Sequence, residues 1–203
     1  MTLPKTPSFR LDGKRALVTG GSRGIGLGGA VALAEAGAHV VITARSADEV
    51  NATAQEMRDA GYSADAVVLD VTDLDAVNAF IEDQAPFDIL FNNAGTNKPT
   101  PFVDVTPEQY DMISNVNSRA AFFVAQAVVK KMIAAGKGGS IIHTSSQMAH
   151  VGGLDRSVYC QTKFGIEGLT KTMALELAEH KICLLYTSPS PRDLSTSRMP
   201  SSA

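Results

Sequence analysis

Short apolar runs alternate with longer amphipathic ones along most of the chain. Arg15 to Thr19, His39 to Thr43, Ala66 to Asp70, Asp88 to Asn92 and Ser140 to Thr144 read as strands. They are apolar at most positions rather than at every second one, as in strands buried on both faces. Between them, Ile25 to Ala36, Ala47 to Ala60, Asp73 to Gln84, Pro107 to Ala135 and Ser157 to His180 read as helices. Gly37, Gly61 and Gly136 stand at helix ends, and Thr72 or Asp73 is placed to cap the third helix. The alternation predicts an α/β fold with helices on both faces of a parallel sheet. Right-handed crossovers then make it a doubly wound, Rossmann-like sheet.

Composition narrows the function classes. The 203 residues can form one domain with a sizeable core. Hydrophobic residues make up 44% and charged ones 19%, which suits a soluble globular protein. A net charge of -3 gives no nucleic-acid footprint. The apolar runs are too short and interrupted to span a bilayer, so no membrane partner is expected. Met1 to Arg10 contains Pro4 and Pro7 and no apolar core, so it does not read as a signal peptide. Two cysteines, Cys160 and Cys183, make no disulfide framework, and a cytoplasmic location is expected.

Thr19-Gly-Gly-Ser-Arg-Gly-Ile-Gly26 joins the first strand to the first helix. Glycines at such a junction let backbone approach a diphosphate, while the helix start supplies N–H donors. Gly20, Ser22, Arg23, Gly24, Ile25 and Gly26 are therefore candidate cofactor contacts. After the second strand an acid would accept from a ribose 2′-OH, but this chain has Ala44-Arg45. Arg45, with Arg23 and no acid between them, favours the 2′-phosphate of NADP over NAD. Gly28 and Gly29 fall in the first helical turns, where each costs about 1 kcal/mol of propensity unless close packing requires it.

Tyr159-Cys-Gln-Thr-Lys163 places a tyrosine and a lysine on one helix face. A free tyrosine is a poor base, with a pKa of about 10, and an adjacent ammonium favours its phenolate. Ser146 precedes Tyr159 by thirteen positions, with Ser145 as the alternative. His143 and His150 show no metal-ligand spacing, and no metal site is expected.

The TGxxxGxG loop, Asn92-Asn-Ala-Gly95, Asn117, Ser146 and the YxxxK pair occur in the order found in the short-chain dehydrogenase/reductase family, which the chain resembles from Leu11 to Ile182. The resemblance implies a hydride passing between a nicotinamide and a small-molecule carbonyl or alcohol. It assigns Ser146 to polarising the carbonyl, Tyr159 to proton donation, and Lys163 to the nicotinamide ribose. Asn117 would hold a relay water, Asp70 and Val71 would contact the adenine, and Asn93, Ala94 and Gly95 would line the ribose. It also implies a homodimer or homotetramer, built on apolar faces that include Phe122, Phe123, Val128, Val129, Leu169 and Met173. Gln147, His150 and Arg156 at the substrate mouth favour a sugar acid or polyol, with 3-oxoacyl reduction as the alternative. A non-catalytic dinucleotide-binding protein or an inactive fragment is the reading from another class.

From Cys183 the pattern changes to CLLYTSPSPRDLSTSRMPSSA, with three prolines and eight Ser or Thr. That composition suits a disordered extension. It also resembles a translated sequencing adapter, in two pieces in the right order and frame. On that resemblance residues 1–182 are an incomplete dinucleotide-binding catalytic domain, 183–203 a non-native tail, and the parent chain runs on past Ile182. The sheet is then expected to stop before a sixth strand. The Ser140 to Thr144 strand would be an unpaired edge, and the chain a poor enzyme.

Overall fold

The computed structural model describes residues 8–186. The strands are β1 (Arg15–Thr19), β2 (His39–Ala44), β3 (Ala64–Val68), β4 (Ile89–Asn92), β5 (Gly139–His143) and β6 (Ile182–Tyr186). All pair in parallel, in the order β3-β2-β1-β4-β5-β6. The helices are α1 (Gly24–Glu35), α2 (Ala47–Asp59), α3 (Leu74–Asp83), α4 (Pro107–Ser114), α5 (Ala121–Ala135) and α6 (Ser157–Glu176). This is the expected doubly wound α/β fold, and its strand order reverses between β1 and β4, where such sheets open a ligand crevice.

Alternate residues of the strands enter opposite layers. Leu17, Val41, Leu90 and Ile141 pack with Val77 and Ile81 of α3 and with Val124, Val128 and Met132 of α5. Ala16, Val18, Val40, Ile42 and Phe91 pack with Ala30 of α1 and with Val50, Ala54 and Met57 of α2. Burial on both faces is what made these strands continuous apolar runs. β3 begins two residues before its expected start. It is an edge strand with Asp65 and Val68 exposed, so its apolar signal is weaker. The Asp73 carboxylate accepts from Ala76 N at 3.0 Å and caps α3, which settles the choice between Asp73 and Thr72.

The sheet runs one strand further than expected, which corrects the view of β5 as an unpaired edge. Ile182, Cys183 and Leu184 align with Gly139, Ser140 and Ile141. Ile182 is buried, and Leu184 packs against the same core. The first proline of the tail is Pro189, so Ile182-Cys-Leu-Leu-Tyr186 is an unbroken apolar segment of strand length. Lys181, in the left-handed conformation at φ 57°, turns the chain into it. The boundary expected after Ile182 therefore falls inside β6, and the loss of an edge no longer argues for a poor enzyme. The expected tail from Thr187 onward lies outside the described residues.

The single helix expected over Pro107 to Ala135 is divided by a π-helical turn, Asn115–Ala120. Such turns widen the helix by one residue and gather at functional positions; this one carries Asn117. Of the residues offered for a two-fold surface, Phe122 and Phe123 are exposed, but Val128 and Val129 face the chain's own core. Both cysteines are free. Among the described residues, no helix is long and apolar enough to cross a membrane, and no group of three His, Cys, Asp or Glu could hold a metal.

The two unusual glycines of α1 separate cleanly. A Cβ on Gly29 would lie 2.2 Å from Phe91 Cε1, whereas one on Gly28 would meet nothing within 4 Å. Gly28→Ala is therefore expected to stabilise the chain by about 0.5–1 kcal/mol through helix propensity. Gly29→Ala is expected to destabilise it by about 1–3 kcal/mol through overpacking. Urea midpoints of the two variants check this; shifts of the same sign would contradict it.

Candidate active site

The sheet's reversal point opens into a cleft of about 650 Å³. Gly20, Ser22, Arg23, Ile25 and Gly26 line one end, and Arg45, Asp70 and Val71 adjoin them. Asn93, Ala94 and Gly95 lie in its middle, and Tyr159 and Lys163 line it as well. Gly24, Asn117 and Ser146 are not among its lining residues.

The glycine loop is built for close approach. Gly20 and Gly24 have φ values of 64° and 58°, a region that favours glycine. A Cβ on Gly26 would sit 2.1 Å from Gly20 O, so the turn leaves no room for one. Asn93 staples the loop to the sheet: its Nδ2 donates to Thr19 O at 3.1 Å and to Gly20 O at 3.2 Å. Thr19 Oγ1 accepts from the backbone N–H of Asn93 and of Ala94, both at 3.0 Å. Asn92 is a structural member, buried, donating to Ala121 O at 2.7 Å. Together these contacts make a backbone cradle at the start of α1 that fits a dinucleotide diphosphate.

At the adenosine end the structure adds an acid. Glu49 lines the cleft, approaches Arg23 Nη1 at 3.8 Å, and accepts from Ser22 Oγ at 3.4 Å. This corrects the expectation that no acid lies between Arg23 and Arg45. The signal was present in Ser46-Ala-Asp-Glu49, a capping-box pattern. Ser46 Oγ accepts from Glu49 N at 3.3 Å, which starts α2 there, but the Glu49 carboxylate turns toward Arg23. Arg45 has no hydrogen bond or ion pair of its own among the described residues, although its charge is felt at Asp70. Burial alone would raise the Asp70 carboxyl. Bonds from Thr72 N and Thr72 Oγ1, at 2.9 and 2.7 Å, and the Arg45 charge together hold it below the usual carboxylate range.

At the other end, Lys163 Nζ lies 5.7 Å from the Tyr159 ring centre and donates to Thr144 O at 2.7 Å. Burial pushes the Lys163 ammonium down to about 8. Behind it, burial and then the Lys163 charge push the fully buried His143 imidazole down to about 4. Ser145, two residues past the end of β5, is buried, whereas Ser146 is half-buried. Ser146 Oγ accepts from Met148 N at 3.1 Å and caps the 3-10 turn Gln147–Ala149.

Asn117 is a buried clasp. Its Oδ1 accepts from Thr96 N at 2.7 Å, and its Nδ2 donates to Thr96 O at 2.8 Å and Thr162 Oγ1 at 3.1 Å. It thus ties the segment after Gly95 to α6, one position before Lys163. A Cβ on Gly95 would stand 3.4 Å from Asn117 Oδ1 and 3.9 Å from Lys163 Nζ, so the glycine keeps the space between them open.

Comparison with known proteins gives the family. The family model described as short chain dehydrogenase matches residues 14–201. The chain belongs to the short-chain dehydrogenase/reductase family, whose members similar to it are oxidoreductases. It is 41% identical to L-xylulose reductase of Mesocricetus auratus over 179 residues, covering 88% of this chain and 72% of that one. It is 39% identical to gluconate 5-dehydrogenase of Gluconobacter oxydans (strain 621H) over 176 residues, 85% of this chain and 68% of that protein. The crystal structure of a gluconate 5-dehydrogenase from Burkholderia cenocepacia J2315, in complex with NADP and tartrate, superposes with a TM-score of 0.82 at 36% identity, covering 94% of this chain and 78% of that one.

Proposed function

We propose that this chain interconverts a carbonyl and a secondary alcohol on a polyol or sugar acid, with NADP as the hydride partner. The observation that carries this reading is the shared cleft: Tyr159 and Lys163 open onto the same space as the Gly20 loop and Asn93. A nicotinamide held there would supply or accept the hydride.

The chain's own groups handle the oxygen and its proton. Ser146 Oγ already accepts from Met148 N, so its hydroxyl hydrogen is free to donate to a substrate carbonyl. Tyr159 donates the proton as general acid, and in the reverse direction takes it as base. Lys163, fixed by Thr144 O, has further N–H groups to offer a ribose hydroxyl. The gap kept by Gly95 between Lys163 and Asn117 suits the relay water. The names of the relatives, L-xylulose reductase and gluconate 5-dehydrogenase, favour a polyhydroxylated substrate over a 3-oxoacyl thioester. The exposed, edge-on pair Phe122 and Phe123, with ring centres 5.2 Å apart, is the surface for a dimer or tetramer.

NADPH consumption with L-xylulose, a 5-ketoaldonate and a 3-oxoacyl thioester tests the reading. Turnover of a sugar substrate supports it, and turnover of the thioester alone overturns it. NADPH binding with no turnover would sustain a non-catalytic binder instead.

The preference for NADP rests on Arg45, because Arg23 is already shared with Glu49. Arg45→Asp is expected to weaken NADPH binding about tenfold or more and to favour NADH, since the acid repels a 2′-phosphate and accepts from a 2′-OH. Fluorescence titration with both cofactors reads this directly. An unchanged NADPH-to-NADH ratio would remove Arg45 from the assignment.

A further inference from the structure

We infer that Arg156, with Lys98 beside it, reads a carboxylate on the substrate, so that sugar acids are taken in preference to neutral polyols. The inference rests on the reductase reading and sharpens it to one substrate class.

Lys98 and Arg156 line one recess with Tyr159, and this recess adjoins the main cleft through Asn97 and Tyr159, which line both. The recess measures about 10 Å³, room for no more than about one water, so a substrate lies across it rather than inside. The backbone that carries both residues is held in place. Gln109 Nε2 donates to Lys98 O at 3.2 Å. Thr100 N donates to Asp155 O at 3.0 Å, and Arg156 N to Gly153 O at 3.3 Å, which joins the Lys98 loop to the turn before α6. The Arg156 stem lies over Gly153, where a Cβ would come within 3.3 Å of Arg156 Cγ.

Neither cation is neutralised. No carboxylate of the described residues lies within 4.0 Å of Lys98 or Arg156, and neither side chain makes a hydrogen bond among them. Asp155 lines the same recess without pairing with either, which leaves one positive charge in excess. Arg156 is half-buried and is the N-cap of α6, three positions before Tyr159, so it stands at the start of the helix that carries Tyr159. A planar guanidinium matches a carboxylate in two parallel hydrogen bonds, and a neutral hydroxyl cannot replace that contact.

Calorimetric titration of gluconate and of xylitol into the chain, with and without NADPH, reads the preference without turnover. Gluconate is expected to bind about tenfold or more tightly than xylitol, as charge-assisted contacts allow. Arg156→Gln should collapse that ratio, Arg156→Lys should keep part of it, and Lys98→Gln should lower it less. NADPH fluorescence confirms that each variant is folded. Equal binding of the two ligands, no binding of gluconate, or a ratio unmoved by Arg156→Gln would overturn the inference. Turnover of L-xylulose with no gluconate preference would leave the reductase reading standing and sink this one; a gluconate preference without turnover would do the reverse.

Discussion

Replacing Tyr159 by phenylalanine is expected to lower the rate of carbonyl reduction by about 100- to 10,000-fold while leaving NADPH binding in place. On the proposed reading the phenol is the acid for the reacting oxygen. Lys163 Nζ is committed to Thr144 O, and Ser146 Oγ is fixed by Met148 N. On the proposed reading their remaining hydrogens serve the substrate carbonyl and the ribose hydroxyl, so neither is the proton donor. The substitution removes one hydroxyl from a ring that still fills its space at the start of α6, so the glycine loop and the Asn93 staple are untouched. The loss should therefore fall on turnover, with the fluorescence titration of NADPH unchanged. Steady-state NADPH consumption checks it, and a rate within about threefold of the original would remove Tyr159 from the chemistry.

Acidification is expected to destabilise the chain through His143, by about 3 kcal/mol between pH 6.5 and 4. The imidazole is fully buried, neither ring nitrogen has a partner among the described residues, and Lys163 adds a like charge nearby. Its folded value of about 4 lies below the ordinary 6.5. Between those values the unfolded chain binds the proton and the folded chain does not. Stability is thus complete above 6.5 and falls as pH drops through 4. His143→Asn should flatten this part of the profile, whatever its effect at neutral pH. Urea midpoints at pH 7 and pH 4.5 for both chains read the difference; equal slopes would contradict the assignment.

Much of the fold was legible because two-sided burial writes strands as apolar runs and the glycine-rich junction marks where β1 meets α1. The lining of the candidate cleft was legible where a motif fixes residue types, as in Tyr159, Lys163 and the Asn93 segment. What escaped depends on distances that sequence spacing does not encode. Glu49 reads as a helix-capping residue, and only the folded loop brings it to Arg23. Ser145 and Ser146 are adjacent letters, and only the path of the loop after β5 decides which is buried. The π-helical turn at Asn115–Ala120 leaves no apolar gap, so the segment reads as one helix. β6 was missed because the prolines and serines that follow it dominate the composition of the tail. Gly29 was recognisable as unusual, but its reason, Phe91, lies in another strand.

The most direct measurement follows the hydrogen itself. The chain is incubated with a sugar ketone and NADPH carrying deuterium at C4, and the product is analysed by mass spectrometry. One deuterium on the new carbinol carbon is expected, with none at that carbon when unlabelled NADPH is used in heavy water. A product whose carbinol hydrogen comes from solvent, or no product from a chain that binds NADPH, would contradict hydride transfer at the Tyr159–Lys163 cleft.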